Sequence, residues 1–185
     1  MLELNHRNEH SVELSAVWLH HIAHKVRPEN PPPMVPLLIG SFQHFVMGKS
    51  HPKKDSKMME FVRALKAATV GKRVLCVASV DLSHVGPVFG DDYVMDTTKQ
   101  QELVQADSSL MDAVVQGDAE RFYAEIAGIE DRNKVCGFSP LYLMLRFMEE
   151  TSGTQIAYQQ CSADSQDHSL VSICGLLLDL SLIHI

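Results

Sequence analysis

The segment Arg73-Val74-Leu75-Cys76-Val77-Ala78-Ser79-Val80 constrains this chain more than any other. It has too little polar alternation for a half-exposed strand, so it predicts a strand at the centre of a sheet, covered on both faces. The chain leaves that strand through Asp81-Leu82-Ser83-His84-Val85-Gly86. In open α/β sheets, ligand crevices form outside the carboxyl ends of strands, which makes this exit the sharpest local feature. A short apolar run over residues 34–39, closed by Gly40, predicts another buried strand, and residues 155–161 and 169–178 predict two more.

Elsewhere the apolar period is three to four. Val12, Ala16, Leu19, Ala23 and Val26 predict an amphipathic helix over residues 9–26, with Asn8 as a cap, broken by Pro28 and Pro31-Pro32-Pro33. Asp55 is placed to cap a second helix with the stripe Met58, Phe61, Val62, Leu65 and Ala68, stopped by Gly71. Residues 97–116 carry Leu103, Ala106, Leu110 and Val114 before a Gly117 stop, and residues 118–127 pair Phe122 with Ile126 behind the cap Asp118. Ser139-Pro140 reads as a cap and a first-turn proline opening residues 141–150. Strands interleaved with helices predict an α/β fold, a layered sheet flanked by helices. At 185 residues, with no internal repeat and no linker, one domain over residues 1–185 is expected. The chain starts in a helix with no strand before it, the pattern of a missing N-terminal part.

The charge balance narrows the partners. Lys plus Arg total 16 against 23 Asp plus Glu, a formal net charge of -7, which opposes binding to nucleic acid or an anionic membrane. Hydrophobic residues at 45% and charged residues at 21% favour a packed core over disorder. The longest apolar stretch, residues 170–183, is interrupted by Ser172, Gly175, Asp179 and Ser181, short of the ~20 residues a span requires. The N-terminus lacks the basic start and apolar stretch of a secretory signal, and Cys76, Cys136, Cys161 and Cys174 match no paired zinc or redox spacing. Reduced thiols and a cytoplasmic location are therefore expected.

Asp81 beside His84 would fix the imidazole tautomer and raise its basicity, making His84 a general acid/base or a metal ligand. A structural role fits the same residues, with Asp81 capping a turn and His84 packed beneath it, and the local pattern alone favours that role. Cys136 precedes a helix start, where free amides favour a thiolate, a nucleophile or soft metal ligand. As a lone cysteine it equally fits a small buried hydrophobe, the more frequent case. Cys76 and Cys174 lie inside apolar strands and Cys161 at a strand end, all read as core. Glu9-His10-Ser11 forms a polar cluster at the first helix start. His20, His21 and His24 have helical spacing but lack the Glu of the zincin pattern, so they read as a solvated helix face. No phosphate loop and no Gly-x-Ser-x-Gly elbow is present.

In order along the chain, Glu9-His10-Ser11-Val12-Glu13, Val35-Pro36-Leu37-Leu38-Ile39-Gly40, Ala78-Ser79-Val80-Asp81-Leu82-Ser83-His84 and Cys136-Gly137 resemble the Memo family. Its bacterial and archaeal members are labelled AmmeMemoRadiSam system protein B. The likeness runs from about Asn8 to Leu178. It implies a fold like the class III extradiol dioxygenases (LigB-like), with a non-haem metal pocket. It implies further that Asp81 and His84 are catalytic, that Glu9, His10 and Ser83 line the pocket, and that Cys136 is a metal ligand. The two histidine ligands usual in the family have no counterpart here, so this chain resembles the C-terminal portion of a Memo-like domain. Weak or absent binding of iron, copper or zinc is the expectation for this chain, together with association through exposed sheet edges.

The resemblance implies three functions: a metal-dependent redox or oxygenase-like enzyme, a binding module for a (phospho)peptide, or a partner of a radical SAM protein and its companion. A thiolate favours softer metals such as copper(I) or zinc over the ferrous iron of ring-opening enzymes. The chain carries no cysteine triplet for an iron-sulfur cluster, so in the third case it is a helper.

Overall fold

Helix α1 (His10–Val26) follows the expected apolar stripe and stops just short of Arg27-Pro28, where the residue before a proline is driven out of the helical region. The computed structural model describes residues 10–48 and 50–180 and divides the chain into two units, Met1–Gly40 and Ser41–Ile185. Helix α1 belongs to the first. Residues 34–39 of that unit, expected as a strand, are not one. An apolar run forms a strand only where another segment offers it a hydrogen-bond ladder, and among the described residues none does.

In the second unit, short α2 (Gln43–Val46) precedes three helices that aspartates start. Asp55 accepts from the Met58 amide at 2.9 Å to open α3 (Ser56–Thr69). Asp96 and Asp118 do the same, also at 2.9 Å, for α4 (Thr97–Val115) and α5 (Ala119–Gly128). Helix α6 (Phe138–Met148) begins earlier than Ser139-Pro140 suggests. Its cap is Gly137, whose carbonyl already accepts from the Leu141 amide at 3.0 Å, and Ser139 is buried in the first turn.

The sheet is small and antiparallel. Strand β1 (His84–Val85) pairs with β3 (Leu170–Leu180), which pairs with β2 (Thr151–Ser162), giving the order β1-β3-β2. The β2–β3 hairpin runs from Thr151 opposite Leu180 to Ser162 opposite Leu170, with one register shift between Gln155 and Ala157. Its connection is tightened by Asp164, which accepts from the amides of Gln166 and His168 at 2.9 and 3.1 Å. The fold is thus mixed α/β, with helices and a small antiparallel sheet, and both C-terminal strands stand where the sequence predicts them.

Residues 73–80 depart from expectation. They form no strand, and Val74, Leu75 and Val77 are 50, 80 and 49% exposed. Their composition suits a doubly covered strand, but the described residues supply neither covering layers nor a neighbouring strand. The core lies elsewhere. Phe42 meets Phe45, Phe138 and Tyr142 edge-on at 5.1, 5.5 and 5.8 Å, and Phe122 is fully buried against Phe138. Val85, Met95, Leu103 and Leu170 form a second cluster, with Tyr93 against it, beneath β1. Truncating Phe122 to Ala removes a fully buried side chain packed against Phe138. We expect a loss of about 3–5 kcal/mol in urea denaturation, whereas Phe61→Ala, at an exposed position of α3, should cost far less.

Candidate functional site

Backbone hydrogen bonds hold residues 81–84 on two sides. Toward β3, the Leu82 amide donates to the Ser172 carbonyl at 2.9 Å, and the Ser172 amide to the Ser83 carbonyl at 3.0 Å. On the other side, the amides of Cys136 and Gly137 donate to the carbonyls of Leu82 and Asp81 at 3.0 and 2.8 Å, and the His84 amide donates to Asn133 at 2.8 Å. The Asp-Leu-Ser-His and Cys-Gly motifs are therefore adjacent, antiparallel backbone segments. The glycine has a reason: a Cβ at Gly137 would stand 2.9 Å from the Asp81 carbonyl oxygen and 2.9 Å from Val80 Cγ2.

Burial then sorts the side chains. Leu82 and Val85 are buried, Asp81 is half exposed, and the His84 side chain retains 20% exposure. His84 Nδ1 lies 3.2 Å from the Leu82 carbonyl. A carbonyl only accepts, so Nδ1 carries the proton in this contact, and in the neutral ring Nε2 is left as an open lone pair. That nitrogen is 3.8 Å from Asp81 Oδ2, and the ring stands edge-on to Phe89 at 5.1 Å. Cys136 is exposed, directly before the cap of α6.

The other thiols differ from it. Burial pushes the Cys76 thiol up from its ordinary value, and burial followed by the Asp107 charge pushes Cys174 up to about 11. Of the four thiols Cys136 is the exposed one, Cys76, Cys161 and Cys174 being partly covered, which makes it the most accessible nucleophile or ligand.

Residues that sequence reasoning passed over complete the support. Asp91 accepts from the Gly86 amide at 2.7 Å and from Lys134 Nζ at 2.6 Å, linking the turn after His84 to the loop before Cys136. That loop holds Glu130, Asp131 and Lys134 at φ of 53, 50 and 51°, left-handed conformations costing about 1 kcal/mol or more each. The Asp131 carboxylate accepts from the Val135 amide at 2.9 Å, which helps to hold the turn. Gly86 itself, at φ 103°, leaves no room for a Cβ, which would meet the His168 carbonyl oxygen at 2.5 Å.

Ser83 does not face the side of Asp81 and His84. It is fully buried, and its hydroxyl donates to Asp107 Oδ1 at 2.6 Å, while Tyr158 donates to Oδ2 at 2.8 Å. Burial and the Asp107 charge raise the Tyr158 pKa. An acidic residue one turn after Leu103 and just before Leu110 on the apolar face of α4 was the available signal for this network. Glu9 and the side chain of His10 lie outside the described residues.

The donor chemistry of His84, Asp81 and Cys136 suits a transition metal, since imidazole and thiolate bind zinc and copper well. Donor number does not: among the described residues no group of three or more His, Cys, Asp or Glu side chains gathers as for a metal ion.

A family described as Memo-like protein matches residues 1–177. The chain belongs to the Memo-like family. A curated relative, the MEMO1 family protein of Methanococcoides burtonii, is 28% identical over 154 residues, which are 81% of this chain and 46% of that protein. The Memo-like chain thus spans about half the length of the relative it matches. No helix among its described residues is long and apolar enough to cross a membrane.

Asp91 supplies a test of how the site is supported. Burial opposes its charge, but the Lys134 ammonium and the Gly86 amide outweigh that and hold its pKa below the usual carboxylate value. A depressed folded pKa stabilises the protein above the unfolded value and loses that contribution as pH falls through the folded one. We expect the stability gap between wild type and Asp91→Asn, read by urea denaturation, to be level from about pH 7 to 5 and to shrink below about pH 4. An unchanged gap at about pH 3 would contradict this account.

Proposed function

We propose that Asp81, His84 and Cys136 are the share of a metal-binding, dioxygenase-like pocket that this chain contributes, and that the pocket serves redox or oxygenase chemistry. The orientation of His84 carries the reading. With Nδ1 committed to the Leu82 carbonyl, its Nε2 lone pair is presented beside Asp81, the arrangement by which a backbone carbonyl orients a metal-ligating histidine. The exposed Cys136 is tied alongside by backbone, and a thiolate there favours copper(I) or zinc over ferrous iron. The missing donors are assigned to the part of the family's length that this chain does not span, where the resemblance implies two histidines. The same part is assigned the strands that would cover residues 73–80. Asp81 would then hold or release a proton at its carboxylate beside His84.

A second reading has the chain bind a partner segment, a peptide or the radical SAM protein of the same system. The exposure of Val74, Leu75 and Val77 favours it, since an apolar extended segment pairs readily with an incoming strand.

Metal stoichiometry separates the two. After anaerobic loading with ferrous iron, copper(I) or zinc, a version extended N-terminally to the relative's length should retain about one metal per chain, and less after Cys136→Ala or His84→Ala. Retention unaffected by both changes would remove these residues from the site. No retention in any version would leave the binding reading, to be tested with phosphotyrosine and tyrosine peptides and by pull-down of the radical SAM protein.

A further inference from the structure

Helix α1 carries three histidines in its last two turns, and only two of them pair. The rings of His20 and His24 lie 4.4 Å apart between centroids, tilted by 60°, while His21 turns to the edge of Trp18 at 6.1 Å. Positions i and i+4 share one helix face, the spacing by which two histidines on a helix bind a zinc ion in metalloproteases. Both rings are exposed, so bringing a nitrogen of each to a common point needs only side-chain rotation. They border an open hollow with Ala16, Val17, His21 and Met34, a lining without lysine or arginine to repel a cation. Exposure fits the solvated face expected from the sequence, and the i,i+4 spacing sets the two rings side by side on it.

We propose that His20 and His24 form a two-histidine site on α1 for a first-row divalent transition cation, binding Cu2+ more tightly than Zn2+, with water completing the shell. The site is independent of the pocket proposed above, because its donors, its helix and its hollow all belong to the first unit. Two imidazoles on a rigid helix act as a chelate: once one is bound, the second binds at high effective concentration. The preference for Cu2+ follows the general order of affinity for nitrogen ligands.

The test uses the full chain carrying Cys136→Ala, so that the exposed thiol contributes nothing. Calorimetric titration with zinc chloride should show one site, weakened at least about tenfold by His20→Ala plus His24→Ala and little changed by His21→Ala. Circular dichroism should show α1 retained, both positions being exposed. With Cu2+, electron paramagnetic resonance should report two imidazole nitrogens in the parent and one in either single variant. Equal zinc affinity in the parent and the double variant, a loss in His21→Ala as large as in that variant, or a Cu2+ spectrum unchanged by both single variants would overturn the site.

Discussion

The antiparallel hydrogen bonds between residues 81–84 and 133–137 are the constraint on which the candidate site depends. They join two segments about fifty residues apart in the chain, and they do so through backbone, so the pairing is indifferent to most side chains. What it does demand is close approach, which is why a glycine follows Cys136. The same contact starts α6 at Gly137, two residues before the point where Ser139-Pro140 would have started it. One interaction thus sets the position of the thiol, the imidazole and a helix.

Two further layers keep that pairing in place. Asp91 bridges the turn after His84 and the loop before Cys136 through Gly86 and Lys134, and the left-handed residues of that loop persist because the bridge and Asp131 hold them. On the opposite face, Ser83 and Tyr158 satisfy both oxygens of buried Asp107. A carboxylate in that position is tolerated only when its oxygens are hydrogen-bonded, so the network is a structural element and explains why Ser83 points away from the pocket side. Thus adjacent residues of one motif, Ser83 and His84, serve the core and the candidate site respectively: the Ser83 hydroxyl is held by buried Asp107, while the His84 ring keeps partial exposure beside Asp81.

Family membership and fold content leave the chemistry to particular side chains, and a fold by itself does not assign a reaction. His84 Nε2 and Asp81 Oδ2 lie 3.8 Å apart, and Cys136 is set apart from the three partly covered thiols by its exposure. The shortfall in donors and the uncovered apolar segment over residues 73–80 concern the same stretch of chain.

The sequence by itself determined the helices, because caps and periodic stripes act locally: Asp55, Asp96 and Asp118 each bind an amide three residues on, and spacing alone marks Asp55 and Asp118 as caps. It also placed the two C-terminal strands, whose antiparallel pairing the tertiary structure decided. Only the tertiary structure decided what became of residues 34–39 and 73–80, since a strand exists by virtue of its neighbours and composition does not say whether they are present. Tertiary structure also decided that Ser83 turns inward to Asp107, and that Asp91, Asn133 and Lys134 brace the site. Those partners are distant in sequence, and a hydrogen bond across such a separation leaves no period or spacing to read.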